Sequence, residues 1–162
     1  MARAIEFYFD FPSPYAYLAH TQLPSIAAEH NAEIGYHPFL ILELMKLVGN
    51  RPTTIEWKSK GKYAGIDLPR WTKRYGVEFA RNPHSRAFDF AELDRGALVA
   101  IADGRGAEYV TAVSSGIWAK QADLSQRSVL IDILSRAGFD ASRLLERASA
   151  ANMDAKSEAE TQ

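Results

Sequence analysis

The chain has 162 residues, which suggests one domain, and its 47% hydrophobic and 24% charged residues are typical of a globular protein. Its net charge is −1, so no basic field favours nucleic acid or an anionic membrane. The absence of cysteine excludes a disulfide framework, a thiolate metal site and a cysteine nucleophile. Any thiol chemistry must therefore use a thiol that another molecule brings.

The chain begins with two elements of different periodicity. Residues 5–9 are β-branched or aromatic at most positions and predict a strand, which ends at the Asp10–Pro14 segment. A helix is predicted from Pro14, the residue type favoured at the first helical position, with Ser13 as its N-cap. A second strand is predicted over 32–38. This order indicates a βαβ unit with parallel strands.

The remainder of the sequence predicts helices. A polar tail follows the last of them. Two parallel strands alone do not make a stable sheet, so we expect further strands to be needed to complete it. The N-terminus lacks the long apolar segment of a signal peptide, and no run of about 18 apolar residues predicts a membrane span, so we expect a cytoplasmic protein. The predicted helices cover 40–48, 54–63, 67–75, 89–103, 108–120, 125–137 and 140–151.

Ser13 is the main candidate for a functional residue. A helix N-terminus carries unpaired N–H groups and partial positive charge, and this favours an anion such as a bound thiolate. The Ser13 hydroxyl could donate a hydrogen bond to such a thiolate. A serine before a proline is also an ordinary helix cap, worth about 1 kcal/mol, and the local pattern leaves both roles open.

The wider segment from Phe7 to Ala19, FYFDFPSPYAYLA, resembles the opening of the 2-hydroxychromene-2-carboxylate isomerase family. These proteins are relatives of kappa-class glutathione transferases and of DsbA-type thioredoxin folds. The resemblance extends over residues 4–152 in family order. The further matching pieces are Gly49-Asn50, Lys62-Tyr63, Asp67-Leu68, Arg70-Trp71, Gly76-Val77, Asn82-Pro83-His84, Ile117-Trp118 and Gly138-Phe139-Asp140.

The resemblance implies an α/β fold in which a large helical insertion interrupts a thioredoxin-like domain. The N-terminal βαβ half would occupy 1–39 and the helical insertion 40–151, with a polar tail over 152–162. In relatives a C-terminal ββα half follows, beginning with a cis-proline segment that pairs with glutathione. That half is absent from this sequence.

The resemblance also implies a site and an activity. Glutathione would be the cofactor, Ser13 the catalytic residue, and Ser13, Pro14 and Tyr15 the residues that bind glutathione. The implied reaction is cis–trans isomerisation of 2-hydroxychromene-2-carboxylate or a related aromatic-catabolism intermediate. The thiolate adds to a conjugated carbon, the bond rotates, and elimination restores the thiol. The implied assembly is a homodimer.

Four other residues are candidates for binding a small aromatic carboxylate. Lys58 and Lys62 would attract its carboxylate, although a solvated helix face is the simpler explanation of each lysine taken singly. Asn50 would hydrogen-bond substrate or glutathione, or simply occupy a turn. His84 would act as an acid or base, or lie on the surface. The histidines and carboxylates lack metal-ligand spacing, so no metal site is predicted.

The substrate is the least constrained part of the interpretation. After His84 this chain has Ser85-Arg86, where relatives often have Phe-Pro, so the electrophile stays open. A kappa-like glutathione transferase or peroxidase would use the same site. A shortened, non-catalytic protein that binds a ligand or a partner is the other alternative. Trp57, Trp71 and Trp118 are expected in the core, although one could line an aromatic pocket.

Overall fold

The computed structural model describes residues 3–52 and 56–150, so the polar tail predicted over 152–162 lies outside the described residues, as does the predicted helix start at Thr54. Two strands and seven α-helices occur in the described part of the chain. They are β1 (Arg3–Phe9), α1 (Pro14–Glu29), β2 (Ala32–Pro38), α2 (Ile41–Leu47), α3 (Lys58–Tyr75), α4 (Phe90–Ala102), α5 (Gly106–Trp118), α6 (Arg127–Arg136) and α7 (Ala141–Ala148).

The two strands pair in parallel, in a register that runs from Arg3 opposite Ala32 to Phe9 opposite Pro38. The predicted βαβ unit is therefore confirmed. Phe7 and Phe9 on one face of the sheet are buried against the helices, whereas Tyr8 on the opposite face is 59% exposed. Within the described residues the sheet has only these two strands.

The main core lies among the C-terminal helices, where α4 packs against both α5 and α7. Tyr109, Ile117, Leu134 and Leu145 are fully buried there. The core continues into the βαβ unit, because Phe11 in the loop after β1 contacts Tyr109 edge-on, with 6.3 Å between ring centroids. One packed interior therefore supports the loop that carries Ser13.

Helix α3 corrects the prediction of two helices over 54–63 and 67–75. It runs without interruption from Lys58 to Tyr75, so Asp67, the predicted start of the second helix, lies inside it. Pro69 also lies within this helix. Proline inside a helix has no N–H to donate, so α3 lacks one backbone hydrogen bond at this position.

The tryptophans also depart from expectation. Trp118 is buried, as predicted, but Trp57 is 57% exposed and Trp71 is 36% exposed. Trp71 instead packs against Tyr75. The guanidinium carbon of Arg74 lies over the Trp71 ring, 5.7 Å from the ring centroid. Both exposed rings belong to the α3 region, which contacts the rest of the molecule mainly through α1. No helix among the described residues is long and apolar enough to cross a membrane.

A buried histidine links α1, β2 and α5. His20 Nε2 lies 2.8 Å from Thr111 Oγ1, and Nδ1 lies 3.4 Å from the Tyr36 hydroxyl. Thr111 donates its own proton to the Ala107 carbonyl, so its oxygen accepts from His20. The proton of the imidazole is thus assigned to Nε2, and burial lowers the pKa of His20 to about 4.

We expect His20 to make the protein sensitive to acid. A pKa lowered from 6.5 to about 4 contributes stability that is complete above pH 6.5 and is lost as the pH falls towards 4. The loss amounts to about 3 kcal/mol between neutral pH and pH 4. Urea unfolding of the wild type and of His20→Gln at several pH values in this range measures the loss. The quantity compared is the difference between the two free energies of unfolding at each pH. A difference that does not change with pH would contradict the assignment.

Candidate functional site

Ser13 lies at the point where β1 delivers the chain to α1. It is the N-cap of α1, with extended backbone angles, and its Oγ accepts a hydrogen bond from the Ala16 N–H at 3.2 Å. Its own N–H donates to the Asp10 carbonyl at 3.1 Å. Pro14 occupies the first turn and has no N–H. The cap predicted from the sequence is therefore present.

The cap leaves two donors available at the helix N-terminus. No acceptor for the Ser13 hydroxyl proton occurs among the described residues, and the Tyr15 N–H likewise has no partner there. Ser13 is half-buried and Tyr15 is 40% exposed, so a ligand can reach both. An O–H and an N–H beside a helix N-terminus suit an anionic sulfur. Capping and thiolate binding are thus compatible in one serine.

The loop before Ser13 is held from several sides. The indole N–H of Trp118 donates to the Phe11 carbonyl at 3.1 Å, in a buried bond between α5 and the loop. The carboxylate of Asp10 accepts the Ile41 N–H at 2.9 Å, which joins the loop to the start of α2. These bonds fix the loop on a packed core, a condition for a precisely placed hydroxyl.

Helix α3 contacts the first turn of α1. The Tyr15 hydroxyl donates to Asp67 Oδ2 at 3.0 Å, and desolvation together with this carboxylate raises the pKa of Tyr15. Lys58 and Lys62 are both exposed on α3 and, being four positions apart, share one helix face. Helix α3, which carries Lys58 and Lys62, is therefore joined to the turn after Ser13 by the bond between Tyr15 and Asp67.

Asn50 and His84 have contacts away from Ser13. Asn50 is exposed after α2, and its side-chain oxygen accepts the Arg51 N–H at 2.8 Å. His84 is exposed, with Nδ1 3.8 Å from Asp123 Oδ2 at the connection between α5 and α6. Their described contacts are those of a turn residue and a surface residue.

Three buried polar residues were not predicted to be buried. Asn82 donates to the Ile117 and Ala122 carbonyls at 3.1 and 2.8 Å, and so anchors the loop before α4 to the end of α5. Asp10 and Asp94 are 4% and 1% exposed. The sequence signal for Asn82 is its Asn-Pro pair, and for Asp10 its place before Ser13. Asp94 carries no such signal. Among the described residues no cluster of three or more His, Cys, Asp or Glu could hold a metal ion.

Comparison with known proteins identifies the class to which this fold and site belong. In this chain a parallel βαβ unit is followed by helices, and Ser13 caps the first helix of that unit. The family model of the DSBA-like thioredoxin domain matches residues 4–162. The chain therefore has a DsbA-like thioredoxin fold, here mostly helical with a small sheet.

Individual relatives narrow the assignment. The chain is 33% identical over 147 residues to a 2-hydroxychromene-2-carboxylate isomerase of Sphingobium xenophagum, covering 90% of this chain and 74% of the relative. A solved 2-hydroxychromene-2-carboxylate isomerase superposes with a TM-score of 0.85 at 24% identity, over 98% of this chain and 77% of the other. The chain belongs to the 2-hydroxychromene-2-carboxylate isomerase family, and we place it among the isomerases.

A further structure shares the fold at greater distance. The cytosolic disulfide reductase DsbM of Pseudomonas aeruginosa, solved with GSH, superposes with a TM-score of 0.64 at 15% identity. The match covers 96% of this chain and 78% of DsbM. At this identity the similarity concerns the fold alone.

Proposed function

We propose that the protein is a glutathione-dependent cis–trans isomerase of 2-hydroxychromene-2-carboxylate or a related aromatic-catabolism intermediate. The observation that carries the proposal is the Ser13 hydroxyl, which caps α1 through its oxygen and keeps its proton for a ligand. The names of the relatives support the reaction, and the GSH in the DsbM structure supports the cofactor. Without a cysteine, the chain depends on such an external thiol.

In this proposal the first turn of α1 holds the sulfur of glutathione. When bound, glutathione supplies the nucleophilic thiolate that makes rotation about a conjugated double bond possible. Ser13 donates its hydroxyl proton to that sulfur, and the Tyr15 N–H and the helix N-terminus favour its negative charge. Pro14 fixes the backbone of the turn. These groups are in place before the ligand arrives, so they lower the barrier without reorganising.

The substrate side of the site is proposed to lie along α3. Lys58 and Lys62 are exposed cations on a helix that is tied to Tyr15 through Asp67, and they suit a carboxylate. We also propose that Asn50 and His84 bind the substrate, in addition to the two lysines. The protein is further proposed to be a cytoplasmic homodimer, and the cytosolic DsbM is a relative in fold from that compartment.

The test is an isomerisation assay with the purified chain, with and without reduced glutathione. Conversion of 2-hydroxychromene-2-carboxylate, followed by ultraviolet absorbance, should occur only when glutathione is present. Conjugation of chlorodinitrobenzene in the same preparation tests the transferase alternative. Conjugation without isomerisation would assign the site to a transferase, and no turnover in either assay would leave a binding protein.

We expect the two lysines to affect substrate affinity more than turnover. Charge-assisted contacts on an exposed helix are modest, so Lys58→Ala or Lys62→Ala should raise KM for the carboxylate substrate about threefold to fivefold, with kcat nearly unchanged. Lys73→Ala, near the far end of α3, is the matched control and should leave KM alone. An equal rise in KM for all three variants would mean that the overall positive charge of α3 attracts the substrate without a specific contact at Lys58 or Lys62.

A further inference from the structure

Trp118, the last residue of α5, joins three parts of the molecule. It is 9% exposed, and its indole N–H donates to the Phe11 carbonyl at 3.1 Å. Its ring stacks on Phe79, with 5.7 Å between the centroids and 13° between the planes. Its own carbonyl accepts the Ala80 N–H at 2.6 Å. One residue therefore links α5, the loop that leads to Ser13 and the segment 77–82, which lies between α3 and α4.

The loop over residues 11–14 depends on bonds from outside it. Pro12 and Pro14 have no N–H, so neither can donate a backbone hydrogen bond to hold the loop. The Phe11 carbonyl belongs to the peptide bond with Pro12, and Ser13 follows directly. Phe11 is 2% exposed, and a buried carbonyl that loses its donor is costly. The indole N–H of Trp118 thus fixes the orientation of the peptide group that leads into the turn.

The segment 77–82, against which the indole packs, is itself held from two helices. The Tyr17 hydroxyl of α1 donates to the Glu78 carbonyl at 2.9 Å. The Asn82 side chain donates to the Ile117 carbonyl at 3.1 Å, one residue before Trp118. The part of the segment that contacts Trp118 lies between these two anchors. The position of the indole is therefore set by packing outside the loop that it holds.

We propose that Trp118 is a positioning residue for Ser13, because its indole N–H holds the Phe11 peptide group in the orientation from which the first turn of α1 begins. Without this donor the carbonyl turns towards another partner, and the turn that carries Ser13 moves with it. The role in catalysis rests on the proposed function of Ser13. The position of residue 13, by contrast, can be measured without glutathione or substrate.

The first measurement uses an introduced thiol as a reporter of position. The chain has no cysteine, so Ser13→Cys provides a single thiol at the start of α1. A thiol at a helix N-terminus has a pKa below its ordinary value of about 8.5, and this effect falls off with distance from the helix N–H groups. Adding Trp118→Phe to Ser13→Cys should raise the pKa of the introduced thiol, as followed by thiolate absorbance against pH.

Tyr109→Phe in the same Ser13→Cys background is the matched control. It removes another buried hydrogen bond of 3.1 Å from α5, to the Leu93 carbonyl in α4, and keeps the aromatic ring. It should lower the free energy of unfolding while the pKa of the introduced thiol stays unchanged. A thiol pKa that Trp118→Phe leaves unmoved, or that both changes raise equally, overturns the proposal.

The hydrogen bond itself can be measured in the unaltered protein. Trp57 and Trp71 are 57% and 36% exposed, so their indole protons should exchange quickly with solvent. The indole proton of Trp118 should exchange at least about 100-fold more slowly, as followed by nuclear magnetic resonance in D2O. Three indole protons that exchange at similar rates would overturn the proposal, even if Trp118→Phe did not fold.

The third measurement is turnover with Ser13 intact. Trp118→Phe should lower kcat at least about tenfold with KM nearly unchanged, because a misplaced donor acts mainly in the transition state. Tyr109→Phe should keep the wild-type kcat. An unchanged kcat in Trp118→Phe would overturn the role in catalysis. If the wild type itself has no isomerase activity, the proposed function fails, and the pKa of the introduced thiol alone decides whether Trp118 positions residue 13.

Discussion

Replacing Ser13 with asparagine is expected to leave the protein folded and lower isomerase turnover at least about tenfold, the equivalent of about 1.4 kcal/mol in the barrier. Asparagine caps helices as well as serine does, so the bond to the Ala16 N–H can be replaced. Its amide cannot reproduce the position of the hydroxyl proton. The steady-state rate with glutathione and the free energy of unfolding, measured on the same preparation, separate the two roles.

Two companion variants separate capping from catalysis. Ser13→Ala loses both the cap and the donor, so it should cost about 1 kcal/mol of stability and also lower turnover. Asp140→Ala removes the N-cap of α7, a different helix, where the carboxylate accepts the Arg143 N–H at 3.1 Å. It should cost a similar amount of stability while turnover stays at the wild-type level.

The sulfur itself provides a readout that does not depend on turnover. If Ser13 donates to it, the pKa of the thiol of bound glutathione should be higher with Ser13→Ala than with the wild type, as followed by thiolate absorbance against pH. Wild-type turnover in Ser13→Asn, together with an unmoved thiol pKa in Ser13→Ala, would show that Ser13 is only a helix cap. The proposed function would then rest on family membership alone.

The parts of the fold that the sequence predicts well are those with local causes. The β-branched and aromatic run of β1, the Ser-Pro start of α1 and the short second strand each follow from neighbouring residues, and the structure has all three. The Ser13 cap is local in the same sense, since its partner Ala16 lies within one turn. Family resemblance then identifies this cap as a candidate site.

The parts that were wrong or unseen depend on distant contacts. Trp57 and Trp71 are large and apolar, which favours the core, but α3 packs mainly on α1 and leaves them exposed. Asp94 is charged, which favours the surface, yet α4 buries it between other elements. Asp67 begins a helix in the prediction, yet it lies inside α3 and accepts a hydrogen bond from the distant Tyr15. Which face of a helix meets a neighbour is set by the assembled chain.

Gly96 is another such position, because its requirement for a small residue comes from α5. A Cβ at Gly96 would overlap the Tyr109 hydroxyl and approach its Cζ to 2.7 Å. Tyr109 is fully buried, and its ring packs edge-on against Phe11 and Phe139 with centroids 6.3 and 6.0 Å away. The ring therefore has little room to move, and α4 and α5 approach closely only because Gly96 lacks a side chain.

Gly96→Ala is expected to lower the free energy of unfolding by at least about 2 kcal/mol, despite the better helix propensity of alanine. Gly65→Ala is the matched control: this glycine lies in exposed helix α3 with nothing within 4 Å of an added Cβ, so the change should stabilise by up to about 1 kcal/mol. In a Tyr109→Leu background the cost of Gly96→Ala should shrink, because the overlapping ring is gone. Urea unfolding of the four variants and the wild type measures these differences. If Gly96→Ala is as stable as the wild type, or costs the same without the tyrosine ring, the helix contact does not limit residue size at this position.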